Sequence, residues 1–134
     1  MRMNKTKIDA ALKFGQDSLG LVATKIEIQF KYLHNDDGES SLVNNCIVIN
    51  NCISLDKQIL AIFHELVHFW QWKLDKLAFD LRTNKWIYNG VIQDGDYWHQ
   101  KHEIEARIMS RQISRKFNLS LTNGSVCSKV ILGR

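Results

Sequence analysis

The sequence predicts an α+β domain, and three observations carry that prediction. Apolar residues recur at helical spacing near the N-terminus and in two later segments; one stretch alternates strictly between apolar and polar residues; and an Asn-Gly pair separates two short β-rich runs. Together they give a small, mainly antiparallel sheet, an N-terminal helix, a central helix and a C-terminal helix. At 134 residues the chain is long enough for one hydrophobic core and short for two, so residues 1–134 are expected to form a single domain.

Ile8, Ala11, Leu12 and Leu19 fall at helical intervals, which predicts an amphipathic helix from about Lys5 to Leu19, ending near Gly20. From Thr24 to Leu33, Ile26, Ile28, Phe30 and Tyr32 share one face of a strand. Asn35-Asp36-Asp37-Gly38 is a turn signal, and the Val, Ile and Cys-rich segment Leu42 to Ile53 is expected to return as the hairpin partner. Ser54 can cap the next helix, with Asp56 favourable in its first turn, and that helix should run to about Lys76. Trp86-Ile87-Tyr88, Asn89-Gly90 and Val91-Ile92 read as a tight hairpin. A last long helix is expected from about Gln100 to Asn118, then a polar loop at Thr122-Asn123-Gly124-Ser125 and a terminal strand at Val126 to Leu132.

Composition narrows the function classes. With 45% hydrophobic and 24% charged residues and no proline, the chain has the make-up of a folded protein and not of a disordered one. The net charge of +4 and pI near 9.0 permit a nucleic-acid partner, but the basic residues are scattered, which does not favour one. No run approaches the roughly twenty apolar residues of a membrane span, and Lys5, Lys7, Asp9, Lys13 and Asp17 break up the start. No membrane partner is therefore expected, and the expected location is cytoplasmic. Cys46, Cys52 and Cys127 are odd in number and lack Cys-x-x-Cys spacing, so they read as small core residues in a reducing compartment.

The chemistry is concentrated in the central helix. Ile59, Phe63, Leu66, Trp70, Leu74 and Leu77 make one apolar stripe, while Leu60, Ala61, Ile62, Val67, Phe69 and Trp72 occupy most of the remaining circumference. A helix apolar nearly all round is buried. Into it the sequence places His64-Glu65-Leu66-Val67-His68. Residues four apart on a helix lie about 40° apart on one face, so both imidazoles can point at one ion. Glu65, displaced around the helix, is instead suited to hold a water and act as general base. Imidazole pairs with an open position are the setting of catalytic Zn2+.

Such a site needs a third protein ligand. The long form of the motif would place Gly and His at positions occupied here by Gln71 and Leu74, and is excluded. Glu103 and Glu105 compete, in the segment His102-Glu103-Ile104-Glu105-Ala106-Arg107. Ala106, Met109, Ser110, Ile113 and Phe117 form the arc expected to face the core; Glu103 lies about 20° from Ser110 and Glu105 about 40° from Met109. This favours Glu103 without deciding it, since Glu103 could instead pair with Arg107 four residues on. His99 or His102 could also serve in place of glutamate.

The pairing of His64-Glu65-Leu66-Val67-His68 with Glu103-Ile104-Glu105-Ala106 resembles gluzincin-type metallopeptidases, and most of all the small metallopeptidases often encoded by phages. There a Trp/Tyr-containing hairpin precedes a Glu-Ile-Glu-Ala helix, and the match here spans roughly Leu55 to Arg111. The resemblance implies a zincin-like fold, a peptide or protein substrate, Zn2+ held by His64, His68 and Glu103, Glu65 as general base and, for a phage protein, the host cytosol. Arg107 departs from it, standing where many relatives have Asp or Asn; Lys101-His102 stands where Pro-Trp is common.

Peptide hydrolysis also needs a donor for the developing oxyanion. Tyr88, Tyr97, His99 and His102 are close enough in sequence to qualify, each with a plain structural reading as well, and Tyr97 is the candidate we adopt as catalytic. Trp70, Trp72, Trp86 and Trp98 read as core more readily than as the lining of a cleft. The segment Asn45 to Ile53 could hold an extended peptide by edge pairing. Two rival functions stand beside the peptidase: a non-catalytic binding or regulatory module acting on a repressor or on nucleic acid, with Arg107, Arg111 and Arg115 at four-residue intervals, and a zinc amidase acting on a cell-wall peptide link.

Overall fold

The computed structural model describes the backbone of residues 2–132 and the side chains of residues 4–122. It is an α+β fold of three α-helices and two three-stranded sheets. The elements run α1 (Arg2–Ser18), β1 (Glu27–Lys31), β2 (Gly38–Ser41), β3 (Cys46–Asn50), α2 (Leu55–Lys73), β4 (Leu77–Asp80), β5 (Lys85–Tyr88), β6 (Val91–Ile92), a single 3₁₀ turn at Tyr97–His99, and α3 (Lys101–Leu132).

Helix α2 is the hub, touching α1, α3, β2, β3 and β4. Its buried set is Ile59, Ala61, Ile62, Phe63, Glu65, Leu66, Val67, His68, Phe69 and Gln71, which meets the expectation for a helix apolar on nearly every side. Ser54 caps it, its hydroxyl accepting from the Lys57 amide at 3.3 Å. The far end closes earlier than the apolar pattern suggested, at Lys73, because Asp75 turns into the left-handed region at φ 59°. The Lys76 amide then donates to the Gln71 carbonyl and the Asp75 amide to that of Trp72, which satisfies carbonyls the helix end would leave bare. Leu74 is left exposed and Leu77 passes into β4.

Helix α1 lies against α2 where Gly15 permits close approach: a Cβ there would stand 2.5 Å from Leu66 Cδ1. Helix α3 presents Ala106, Ser110, Ile113 and Phe117 inward as the helical wheel predicts, with Met109 packed on the core's edge. The Phe117 ring meets Phe14 and Phe63 at centroid distances of 5.4 and 5.6 Å.

The first sheet differs from the expected hairpin. β3 is its centre, paired in parallel with β1 (Ile28 opposite Ile47) and antiparallel with β2 (Ser40 opposite Ile47). The turn signal at Asn35–Gly38 therefore leads into a short strand of its own, and the hairpin joins β2 to β3 through Asn45 at φ 52°. Ile47 and Ile49 of β3 are fully buried, whereas Phe30 and Tyr32 run past the core and are exposed. The edge expected at Asn45 to Ile53 is covered on both sides by β1 and β2, which removes it as a docking strand; the edges of the sheet belong to β1 and β2. Asn50 ties this corner together, donating to the carbonyls of Leu33 and Asp36 at 2.9 and 3.1 Å.

The second sheet is an antiparallel meander, β4-β5-β6. Its last hairpin is the predicted one, with Asn89 and Gly90 both at positive φ, 49° and 82°, as a two-residue turn of that hand requires. The strand expected at Val126 to Leu132 is not formed: α3 continues to Leu132. With no proline in the segment, Gly124 alone costs about 1 kcal/mol and does not stop a helix already propagating. Cys46 is half-buried and Cys52 exposed, so the expectation of core cysteines fails for Cys52; the side chain of Cys127 lies outside the described residues. Among the described residues no helix is long and apolar enough to cross a membrane.

Candidate metal centre

His64 and His68 project from one face of α2 with ring centroids 4.9 Å apart, and both present Nε2 to the same carboxylate, that of Glu103 on α3. His64 Nε2 stands 2.9 Å from Glu103 Oε1; His68 Nε2 stands 3.3 Å from Oε1 and 3.2 Å from Oε2. One donor atom from each residue lies within 4.8 Å of the others, so the three could hold a metal ion. Of the two competing glutamates, Glu103 and not Glu105 stands with the histidines, through the phase of α3. Ala106 lets α3 approach α2, and the turn before it brings Glu103 into the gap.

Glu105 has a different task, joined to the centre through Gln71. The Gln71 side chain is fully buried; its Oε1 accepts from His68 Nδ1 at 2.8 Å, and its Nε2 donates to the His102 carbonyl at 2.9 Å and to Glu105 Oε1 at 3.0 Å. Glu105 is held in turn by the Tyr88 hydroxyl and by Lys76 Nζ at 2.8 Å. With Nδ1–H committed to Gln71, the lone pair of neutral His68 falls on Nε2, the atom facing Glu103. That is the tautomer a metal ligand needs. The donor set and its bracing therefore fit a divalent ion of the kind bound by imidazole and carboxylate.

The electrostatics are those of charges drawn out of water. Burial raises the Glu103 carboxyl, but hydrogen bonds from His64 and His68 outweigh it and hold the group well below the usual carboxylate range. Burial likewise opposes a proton on His68, and the Glu103 hydrogen bond with the nearby Glu65 charge reverses this, carrying it up to about 9. Glu65 is raised, chiefly by burial, against the lowering pull of the two histidines and a hydrogen bond with Ser40. For Glu105, burial raises and the bonds with Lys76, Tyr88 and Gln71 win, lowering it.

A cavity of about 170 Å³ opens beside the triad, bordered by Glu65, His68, Glu103, Tyr97, Trp86 and the β2 residues Gly38 to Ser40. A second, of about 420 Å³, adjoins it; Glu65, Tyr97, Asp36 and Gly38 border both. Tyr97 thus stands between the two, its ring half exposed, with burial and the nearby Glu103 and Glu65 carboxylates raising its pKa. Other expectations part company with the structure. Tyr88 spends its hydroxyl on Glu105, and His99 is exposed and bonded to Asp96 at 2.6 Å, so neither reaches the triad. His102, in contrast, does reach the triad: buried among Trp86, Tyr88 and His68, it borders the smaller cavity and sets Nε2 3.6 Å from Glu103 Oε2, while burial, ahead of the opposing effect of Glu103, lowers it to about 4. Trp86 and Trp98 border the cavities, and only Trp70 among the expected core tryptophans packs against the main core. Arg107 does not pair with Glu103 but turns to the Trp98 carbonyl.

Sequence reasoning missed Gln71 as a brace and β2 as the bordering edge. Gln71 carried a signal, as a polar residue in an otherwise buried helix three positions after His68. The sequence matches no protein-family model and no curated protein.

Proposed function

We propose that the protein is a zinc-dependent peptidase. The observation that carries this reading is the convergence of His64, His68 and Glu103 on one point, with the buried carboxylate of Glu65 bordering the same cavity. Zinc would be held by His64 Nε2, His68 Nε2 and the Glu103 carboxylate. Bound there, the ion supplies Lewis acidity, polarising a carbonyl and acidifying a water.

The chain's own groups supply the rest. Glu65 is one residue from a ligand yet is not part of the triad, and its raised pKa brings it towards the range in which a carboxylate both takes a proton from water and returns it to a leaving amine. Tyr97, whose raised pKa keeps its hydroxyl protonated, stands at the junction of the two cavities to donate to the oxyanion that develops on the substrate. β2 is an edge strand of its sheet, and the one that borders the smaller cavity, so its unpaired backbone groups can hold an extended peptide with little demand on side chains.

The test is metal content and hydrolysis in parallel. Purified protein should contain close to one zinc per chain, and Glu65→Gln should keep that zinc while peptide hydrolysis falls by about 10²-fold or more. A Glu65→Gln protein that cleaves peptides as fast as wild type defeats the role given to Glu65; wild-type protein with no affinity for zinc defeats the whole reading.

A further inference from the structure

Arg107 borders the larger cavity, and the proposed reaction leaves its chemistry unused. It lies on α3 one turn beyond Glu103, half-buried. Its guanidinium stacks on Trp98, with the central carbon 4.4 Å from the ring centroid, and Nη2 donates to the Trp98 carbonyl. Nη1 is buried and has no hydrogen-bond partner in the protein, and among the described residues Arg107 forms no ion pair. A buried charged donor left without an acceptor is costly. A fold keeps such a group where something else supplies the acceptor.

The cavity shows where that acceptor would come from. His64, Glu65, Tyr97, Trp98, Arg107 and Arg111 border it together, so a ligand reaching the proposed reaction centre from this side passes Arg107. The contact with the Trp98 ring and the bond to its carbonyl hold the guanidinium in place, and a planar fork matches a carboxylate with two parallel hydrogen bonds. Arg111, exposed on the next turn, adds a second positive charge at the same wall. Asp36 and Asp37 border the cavity as well, but both are exposed, so solvent screens them, and neither pairs with Arg107.

We infer that Arg107, supported by Arg111, selects substrates that carry a carboxylate on the side of the scissile bond facing the larger cavity. The inference rests on the peptidase reading and narrows it to acidic peptides. The carboxylate comes either from a free C-terminus or from an Asp or Glu side chain, and the chemistry of recognition is the same for both.

The experiment measures binding apart from turnover. Zinc-loaded Glu65→Gln protein is titrated with four Ala-rich octapeptides: one with a free C-terminus, its C-terminal amide, and amidated versions carrying a single internal Glu or Gln. A carboxylate peptide should bind about tenfold or more tightly than its neutral counterpart, and added salt should shrink the difference. The free-terminus pair and the Glu/Gln pair tell the two sources apart. Arg107→Met should cut the preference to about twofold or less, while Arg107→Lys keeps charge without the fork and retains part of it. Thermal melts of both variants check that the fold persists, and Arg107→Lys serves if Arg107→Met does not fold. Neutral peptides that bind equally well, or a preference that survives Arg107→Met, overturn the inference. Wild-type hydrolysis without acid preference sinks it and leaves the peptidase reading standing. Preferential binding with no wild-type hydrolysis does the reverse, and neither binding nor hydrolysis ends both.

Discussion

Replacing Gln71 by Leu tests the centre without touching any proposed ligand. The substitution removes the acceptor for His68 Nδ1 at 2.8 Å and the donors to the His102 carbonyl at 2.9 Å and to Glu105 at 3.0 Å. Two of these losses are covered. Glu105 keeps Tyr88 and Lys76, and the His102 carbonyl lies within α3, where it retains an intrahelical donor. The uncompensated loss is one buried imidazole N–H, worth about 1–3 kcal/mol, and the buried leucine offsets part of it, so the protein should lose about 1–2 kcal/mol of stability. The larger effect falls on the metal. With its ring no longer oriented, His68 is free to place the proton on Nε2, and zinc affinity should drop by about 10- to 100-fold, or about 1.4–2.7 kcal/mol. Competition against a chromophoric chelator measures the affinity, and urea unfolding of chelated protein measures the stability. Affinity within twofold of wild type, with stability lowered as expected, would mean that Gln71 is only a packing residue and that the bracing argument is wrong.

Three further outcomes are expected. In chelated protein His68, raised to about 9 from 6.5, contributes stability that is complete below about pH 6.5 and lost as pH rises through 9; zinc affinity should climb over that same window by up to about tenfold per unit as the competing proton leaves, measured by titration and by proton release on metal uptake. Phe63→Ala empties a fully buried site against Phe117 and should cost about 3–5 kcal/mol by chemical denaturation. Asp75→Gly relieves a left-handed residue at φ 59° closing α2, and after the added freedom of the unfolded chain should stabilise by about 0.5–1 kcal/mol, seen as a higher melting temperature.

What could be read in advance divides by range along the chain. α1, α2, the cap at Ser54 and the Asn89-Gly90 hairpin are encoded by neighbours in sequence, and all were legible. The inward arc of α3 was legible too, because Ala106, Ser110, Ile113 and Phe117 keep a helical period. The parallel pairing of β1 with β3 was not, since alternation in a strand tells its faces and not its neighbour or direction. The centre shows the same division: His64 and His68 announce themselves within one turn, whereas the roles of Glu103 and Glu105 emerge only once α3 docks. Gln71 escaped because it was weighed as an absent glycine of a longer motif, not as a polar group needing partners of its own.

The two imidazoles sit on one helix, while the carboxylate they face is 39 residues from His64 and 35 from His68. An ion held by all three would act as a reversible cross-link, closing a long loop and stapling two rods that apolar contact and the hydrogen bonds of Gln71, His64 and His68 otherwise keep together. The strength of that staple would follow free metal concentration, about 1.4 kcal/mol for each tenfold above the dissociation constant. Metal supply would then set how long each molecule survives proteolysis as well as whether it can act.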